Sequence, residues 1–232
     1  MELIIAKNDN IKNFLEFYKK QYLNHDLKRD TLSGMLKNIL FGRSVLNKSV
    51  DIEPVMVVNN EEIIMAALLA HAERMPEYLQ ISFFESEGYN MEAFNLILER
   101  AVEKAREKKA SKLTGSLNIH VNYGLGFLAS GFDTRQSFGS PYNPDFYNDY
   151  FEKSGFQTIH MVSYKKDMVN SPSLISEEVR EKLKRTYTVR EANFRNFKQE
   201  IEIYTKINNE AFSNHLFYYT RKTEEDYELF KD

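Results

Sequence analysis

The chain has 232 residues, of which 42% are hydrophobic and 28% charged, and its formal net charge is −3. This composition is typical of a globular protein and excludes a disordered one. The charge gives no basic excess for nucleic acid or an anionic membrane surface, so neither is an expected partner. The absence of cysteine excludes disulfides, thiolate metal sites and a cysteine nucleophile.

Targeting and metal signals are also missing from the sequence. No apolar run reaches the roughly 20 residues that a membrane-spanning helix needs. Residues 1–10 lack the basic flank and apolar core of a signal peptide, so we expect a cytoplasmic protein. The five histidines do not have the spacing of metal ligands, and we therefore predict no metal site.

The first fifty residues predict a strand, two helices and a loop. Residues 3–6 form a short apolar run of strand type, and Asp9 can cap a helix whose apolar residues recur at helical spacing. A second helix is predicted for residues 30–40. Residues 42–53 are polar, and we expect them to form a loop.

A hairpin of two strands follows. Residues 54–58 form a β-branched run, and Asn59-Asn60 suits a tight turn because asparagine tolerates the left-handed conformation. The run 63–71 is apolar at successive positions, as expected of a central strand covered by helices on both faces.

A third strand is predicted for residues 79–85. Its alternation places Leu79, Ile81 and Phe83 on one face and Phe84 on the other.

The clearest helix comes next, before a segment of short elements. Asn90 can cap this helix, whose apolar residues fall at i, i+3 and i+4 spacing. Residues 113–117 then predict a short strand, and residues 123–130 predict a helical turn. A short helix ending at Ser154 leads into a long predicted strand that begins at Phe156.

The stretch 112–165 carries the most recognisable pattern. Its marked positions are Gly115, Asn118, Asn122, Gly131-Phe132-Asp133, Pro141-Tyr142-Asn143-Pro144 and Gly155-Phe156. The order of elements resembles the end of the fold of the GNAT superfamily of N-acetyltransferases, and the fuller pattern resembles one bacterial GNAT-like family of poorly defined substrate. The resemblance covers about residues 3–165. It implies an α/β (α+β) fold, in which a mixed central sheet is flanked by helices on both faces.

The resemblance also implies where a cofactor would bind. Such enzymes hold the diphosphate of coenzyme A on backbone N–H groups at a helix N-terminus. The corresponding loop here is residues 85–92, which implies acetyl-CoA contacts at Ser86, Gly88, Tyr89 and Asn90. The loop departs from the usual signature, since it has one glycine, no basic residue and three carboxylates, which should weaken the binding of a polyanion.

Two catalytic residues are implied in the same way. In similar enzymes a tyrosine four residues before the Gly-Phe pair protonates the leaving thiolate, but that position is Phe151 here. Tyr147, one helical turn earlier, is the predicted substitute. Glu85 is the predicted general base, with His71 and His120 as further candidates. The alternative is that Tyr147 only packs and that Glu85 is a solvated residue at a strand end.

Three polar residues complete the predicted site. Asn118 follows the strand that should splay from its neighbour, where its amide can contact the pantetheine arm of the cofactor or cap a strand-end backbone group. Asn122 and Tyr142 are predicted to contact the acceptor. The rigid turn that carries Tyr142 can also serve simply to start the next helix.

The domain organisation follows from these assignments. Residues 1–168 are predicted to form a GNAT-like domain, residues 169–186 a linker with a short helix, and residues 187–232 a C-terminal segment. That segment echoes the start of the chain, so it is either the beginning of a second repeat or a helical cap. A partial domain cannot bury its own apolar face. It would have to pack on the first domain or on a second chain, which leaves a homodimer open.

Two functional hypotheses follow. The first is an N-acyltransferase that transfers an acetyl group from acetyl-CoA to a small-molecule amine or amino acid derivative. The alternative is a non-catalytic protein of the same fold that binds another ligand or a partner chain in the same cleft.

Overall fold

The computed structural model describes residues 1–7, 10–23, 25–137, 139–167, 169 and 175–231. Its five-stranded sheet has the order β1-β2-β3-β4-β5. The strands are β1 Glu2–Ile5, β2 Val50–Asn59, β3 Glu62–Ala72, β4 Tyr78–Ser86 and β5 Lys112–Gly115. Neighbours from β1 to β4 are antiparallel, whereas β4 and β5 are parallel because the long helix α3, Met91–Lys108, connects them. The sheet is therefore mixed, as predicted.

Helices cover both faces of this sheet. Besides α3, the α-helices in the described residues are α1 Asn10–Lys20, α2 Ser33–Leu40, α4 Tyr147–Lys153, α5 Glu177–Thr186, α6 Phe197–Ala211 and α7 Thr223–Phe230. Helices α1 and α2 pack on one face, and α3 and α4 pack on the other. Residues 65–70 of β3 are buried on both sides, which confirms the prediction of a central strand.

A bulge in β4 changes which face its side chains point to. Phe83 has a φ of +48°, and the pairing with β3 shifts register between Ala66 and Leu68. The extra residue breaks the alternation of side chains along the strand. Phe83 therefore packs with α1 and α2, whereas Leu79 and Ile81 pack with α3. The prediction that these three residues share a face was wrong.

The segment after β5 departs furthest from prediction. The long strand predicted from Phe156 is absent, since residues 156–167 form no strand and Val162 and Tyr164 are exposed. The apolar pattern of residues 156–167 suits a strand, but this segment pairs with no described strand. The helical turn predicted for 123–130 is also absent. The chain instead makes a short 3₁₀ turn at Val121–Tyr123 and a bridge that pairs Leu125 with Leu117.

Smaller corrections concern the first half of the chain. Residues 42–53 are not a loop throughout, because a 3₁₀ turn forms at Val45–Lys48 and β2 begins at Val50. The hairpin turn lies one residue later than predicted, at Asn60 and Glu61, both of which have positive φ. Asp9, the predicted cap of α1, lies outside the described residues, as do residues 170–174 of the predicted linker.

The described part of the C-terminal segment forms helices α6 and α7, with irregular chain between them. Residues 187–193 form no strand. Helices α6 and α7 pack against each other, and α7 packs against the 3₁₀ turn at Val45–Lys48. A fully buried ion pair joins Arg221 to Asp226, with 2.8 Å between nitrogen and oxygen. Arg221 also donates to the hydroxyl of Tyr123 at 2.7 Å, which fixes the segment to the loop after β5.

Candidate functional site

The candidate site lies where β4 and β5 separate. Their pairing ends at Ile81 and Gly115. Beyond that point, the backbone N–H of Phe83 at the bulge donates to Oδ1 of Asn118 at 2.7 Å. Gly124 makes room for this amide, because a Cβ at that position would lie 2.7 Å from Nδ2 of Asn118. Asn118 therefore caps the backbone at the point where the strands part.

A cavity of about 540 Å³ opens at this point. It brings together five residues that sequence reasoning selected from distant parts of the chain: Glu85, Asn118, Asn122, Tyr142 and Tyr147. Apolar side chains form much of the remaining wall, and the C-terminal segment supplies part of it through Tyr204, Leu229 and Phe230. The volume falls in the range that small-molecule sites occupy.

Glu85 is the centre of a buried polar network. Nζ of Lys28 lies 3.0 Å from each carboxylate oxygen, and the two side chains are only 3% and 5% exposed. The hydroxyl of Tyr22 donates to Oε1 at 2.8 Å, and that of Tyr147 donates to Oε2 at 2.9 Å. The alternative that Glu85 is a solvated strand-end residue was wrong, because Glu85 is only 4% exposed. A carboxylate buried to this extent requires such partners.

Lys28 and Tyr22 were missed by sequence reasoning. They precede Glu85 by 57 and 63 residues, and neither belongs to a recognisable motif. The fold brings Tyr22 to Glu85 because it lies just past the end of α1, over the end of β4. His25 helps to fix the following loop, since its Nδ1 accepts the backbone N–H of Lys28 at 3.0 Å.

The tyrosines of the network remain protonated at neutral pH. Burial, together with the nearby Glu85 carboxylate, raises the pKa of Tyr147 well above its usual value. The same two causes raise the pKa of Tyr22 and of Tyr18. The hydroxyl of Tyr147 also accepts the N–H of Ser86 at 2.6 Å, which orients its proton toward Glu85 or the Ser86 carbonyl. Tyr147 is therefore a fixed proton donor beside a carboxylate.

Four of the five predicted cofactor-binding residues, all except Asn118, form a separate group between the end of β4 and the N-terminus of α3. Asn90 caps that helix, as predicted, because its Oδ1 accepts the N–H of Ala93 at 3.0 Å. The hydroxyl of Tyr150 accepts the N–H of Asn90 at 2.6 Å and donates to the carbonyl of Gly88 at 2.7 Å. The described residues that line the cavity include none of these four, Ser86, Gly88, Tyr89 and Asn90.

The two predicted acceptor residues lie on the cavity wall and are held by internal contacts. Tyr142 donates its hydroxyl proton to the carbonyl of Phe132 at 2.6 Å. The N–H of Asn122 donates to Nδ1 of His120 at 3.1 Å. Nε2 of His120 therefore carries the proton, and it donates to the carbonyl of Tyr219 at 3.0 Å. His120 is thus a link between the C-terminal segment and the cavity.

His120 is buried in its neutral form. Burial, followed by the nearby Arg221 guanidinium, lowers the pKa of His120 to about 3. His71, the other candidate histidine, places Nε2 3.1 Å from the carbonyl of Pro76 and does not line the cavity in the described residues. Within the same part of the chain, no group of three or more acidic or histidine side chains is placed to hold a metal ion. No described helix is long and apolar enough to cross a membrane.

Comparison with known proteins gives distant likenesses. No family model matches the chain. A stretch of 123 residues, 52% of this chain, is 24% identical to the bacterial ceramide synthase of Caulobacter vibrioides and spans only 32% of that protein. A crystal structure of a predicted acetyltransferase with acetyl-CoA from Clostridium acetobutylicum matches at a TM-score of 0.45 and 17% identity, over 71% of this chain and 95% of that one.

Proposed function

We propose that the protein is an N-acyltransferase of GNAT type. It would transfer an acyl group from a thioester donor, of which acetyl-CoA is the first to test, to a small-molecule amine or amino acid derivative. The observation that carries this proposal is the 2.9 Å hydrogen bond between Tyr147 and Glu85 in a cavity at the point where β4 and β5 part. This pair combines a carboxylate that can accept a proton with a hydroxyl that can donate one.

The proposed reaction forms an amide bond and breaks a thioester bond. The amine nitrogen attacks the thioester carbonyl carbon, and the carbon–sulfur bond breaks. Glu85 accepts the proton that the nitrogen loses, and Tyr147 donates its own proton to the leaving sulfur. The hydrogen bond between them then returns the proton from Glu85 to Tyr147, so that both side chains regain their starting states.

Lys28 and Tyr22 support this chemistry by holding the Glu85 carboxylate. The ammonium of Lys28 balances the charge of the buried carboxylate, which would otherwise be costly to bury. Tyr22 donates to the oxygen that Tyr147 does not contact. These contacts hold the carboxylate plane in one orientation, with Oε2 toward Tyr147.

The name of the Caulobacter relative agrees with amide formation. A ceramide is the amide of a long-chain amine with a fatty acid. Apolar residues of the cavity wall suit an apolar portion of the acceptor or of the acyl group. They include Leu32, Leu125, Leu229 and Phe230. We therefore include amines with an apolar chain among the acceptors to be tested.

The second candidate is a non-catalytic binding protein of the same fold. Two observations favour it: Phe151 stands where similar enzymes have the tyrosine acid, and Lys28 already neutralises Glu85. Such a protein would bind a ligand in the cavity and leave a thioester intact.

Release of free thiol distinguishes the two candidates. Because the chain has no cysteine, a thiol-reactive dye reports only thiol released from the donor. We expect amine-dependent release by the wild-type protein, and a fall in kcat of about 100-fold or more for Tyr147→Phe. Tyr150→Phe is the matched control, since Tyr150 lies on the same helix and bonds a loop N–H but does not contact Glu85. Equal losses in the two variants would contradict the role of Tyr147.

A further inference from the structure

The N-terminus of α3 has a different structure from the anion site that its position suggests. In a helix N-terminus that binds phosphate, backbone N–H groups point at the ligand. Here three N–H groups of the loop before α3 already have partners. Those of Ser86 and Asn90 donate at 2.6 Å to the hydroxyls of Tyr147 and Tyr150, and that of Glu87 donates at 3.0 Å to a β3 carbonyl.

Helix α4 also closes the space beside this loop. The ring of Tyr150 stacks on those of Tyr89 and Phe94, with centroids 5.1 and 5.0 Å apart. The ring of Phe84 packs against the rings of Phe94 and Tyr150, with both centroids 5.6 Å away. It also packs against helix α4, with its centroid 5.0 Å from that of Tyr147 and 5.6 Å from that of Phe151. A diphosphate at the α3 N-terminus would have to displace these packed rings.

The charges near the loop oppose a polyanion as well. Residues 85–92 include three carboxylates and no basic residue. Two nearby lysines are already paired: Lys20 lies 2.8 Å from Glu87, and Lys153 lies 2.8 Å from Asp149. The lysines that face two of these carboxylates are committed to them, since Lys28 pairs with Glu85 and Lys20 with Glu87. The loop therefore offers a diphosphate no basic side chain of its own, and it does not fit one.

The cavity offers a different mode of recognition. Its polar wall includes the side-chain amides of Asn118 and Asn122, which can each donate and accept hydrogen bonds. The pantetheine arm of a thioester donor carries two amide groups with the same capability. The cavity reaches Glu85 and Tyr147 without passing the α3 N-terminus.

We infer that the acyl donor is recognised through its acyl and pantetheine parts, and that the α3 N-terminus does not bind its diphosphate. This inference rests on the proposed function. The shared chemistry is an acyl-pantetheine thioester, which coenzyme A or an acyl carrier protein can supply. The nucleotide of coenzyme A would then lie outside the site and contribute little to binding.

The test compares donors that share one acyl group. We expect acetyl-pantetheine and acetyl-CoA to have kcat/KM values within about threefold of each other, and adenosine 3′,5′-bisphosphate not to inhibit. A loss of about 100-fold or more for acetyl-pantetheine, with acetyl-CoA active, would overturn the inference and leave the proposed function standing. Thiol release from neither donor would overturn both.

Two further arms complete the test. Isothermal titration should give similar Kd values for pantetheine and coenzyme A, whereas much tighter binding of coenzyme A would contradict the inference. Acetyl-loaded acyl carrier protein identifies the source. A kcat/KM well above that of acetyl-CoA supports the inference and points to the carrier protein, and a similar value supports it with coenzyme A as a sufficient source.

Discussion

The pairing of Lys28 with Glu85 gives the sharpest prediction about stability. Lys28→Met removes the ammonium and keeps a side chain of similar length. The substitution leaves a 4% exposed carboxylate with only two tyrosine hydroxyls as partners. Lys20→Met is the matched control, because Lys20 also pairs with a glutamate near the end of β4, but its side chain is 64% exposed.

The magnitude follows from burial. Removing one partner of a buried ion pair costs about 3–5 kcal/mol of unfolding free energy, because the other charge stays buried without compensation. The two tyrosine hydroxyls still solvate Glu85, so we expect the lower end, about 3 kcal/mol. Exposed ion pairs contribute little, and Lys20→Met should leave stability nearly unchanged. Lys28→Met/Glu85→Gln should be more stable than Lys28→Met, since it removes both charges.

Urea unfolding followed by circular dichroism measures this difference. With an m value of about 3 kcal/mol per molar urea, a loss of 3 kcal/mol lowers the midpoint by about 1 M. Equal midpoints for the Lys28 and Lys20 variants would refute the reasoning. So would a double variant less stable than Lys28→Met alone.

Three other substitutions test separate parts of the fold. Gly115→Ala places a Cβ 2.2 Å from the ring of Phe151. We therefore expect it to lower the free energy of unfolding by about 1–3 kcal/mol, measured by thermal unfolding. Gly88→Ala is the control, because a Cβ there meets nothing within 4 Å and stability should change little. His120→Gln should make the free energy of unfolding depend less on pH below pH 7. The folded pKa of about 3 lies below the usual 6.5, so stability is lost as pH falls from about 6.5 toward 3, by up to about 2 kcal/mol between pH 7 and pH 5 in urea unfolding. An unchanged slope would contradict the buried neutral histidine. Asn118→Ala removes the acceptor of the Phe83 N–H, so we expect that amide to lose hydrogen-exchange protection and the fold to lose about 1–3 kcal/mol.

Elements defined by local pattern were predicted well from the sequence. The α3 helix and its Asn90 cap are examples, because the apolar stripe and the cap lie within a few residues of each other. The central strand β3 was recognised for a similar reason, since its run of apolar residues is continuous. The strand predicted from Phe156 failed because a local apolar pattern does not specify a pairing partner.

The candidate site was only partly predictable, because its geometry depends on long-range contacts. The resemblance selected Glu85 and Tyr147, and the structure places them in contact. It could not indicate Lys28, whose pairing with Glu85 spans 57 residues. The bulge at Phe83 was also missed, because a positive φ at a phenylalanine arises from tertiary packing and not from residue preference.

Amine-dependent release of thiol from acetyl-CoA, compared between the wild-type protein and Glu85→Gln, tests the central claim most directly. Glu85→Gln keeps the shape of the side chain and removes the charge that accepts the proton, and circular dichroism would verify its fold. The account predicts release that requires both amine and wild-type protein, with the rate of the variant lower by about 100-fold or more. No release by the wild-type protein with any amine tested, or equal release by the variant, would contradict it.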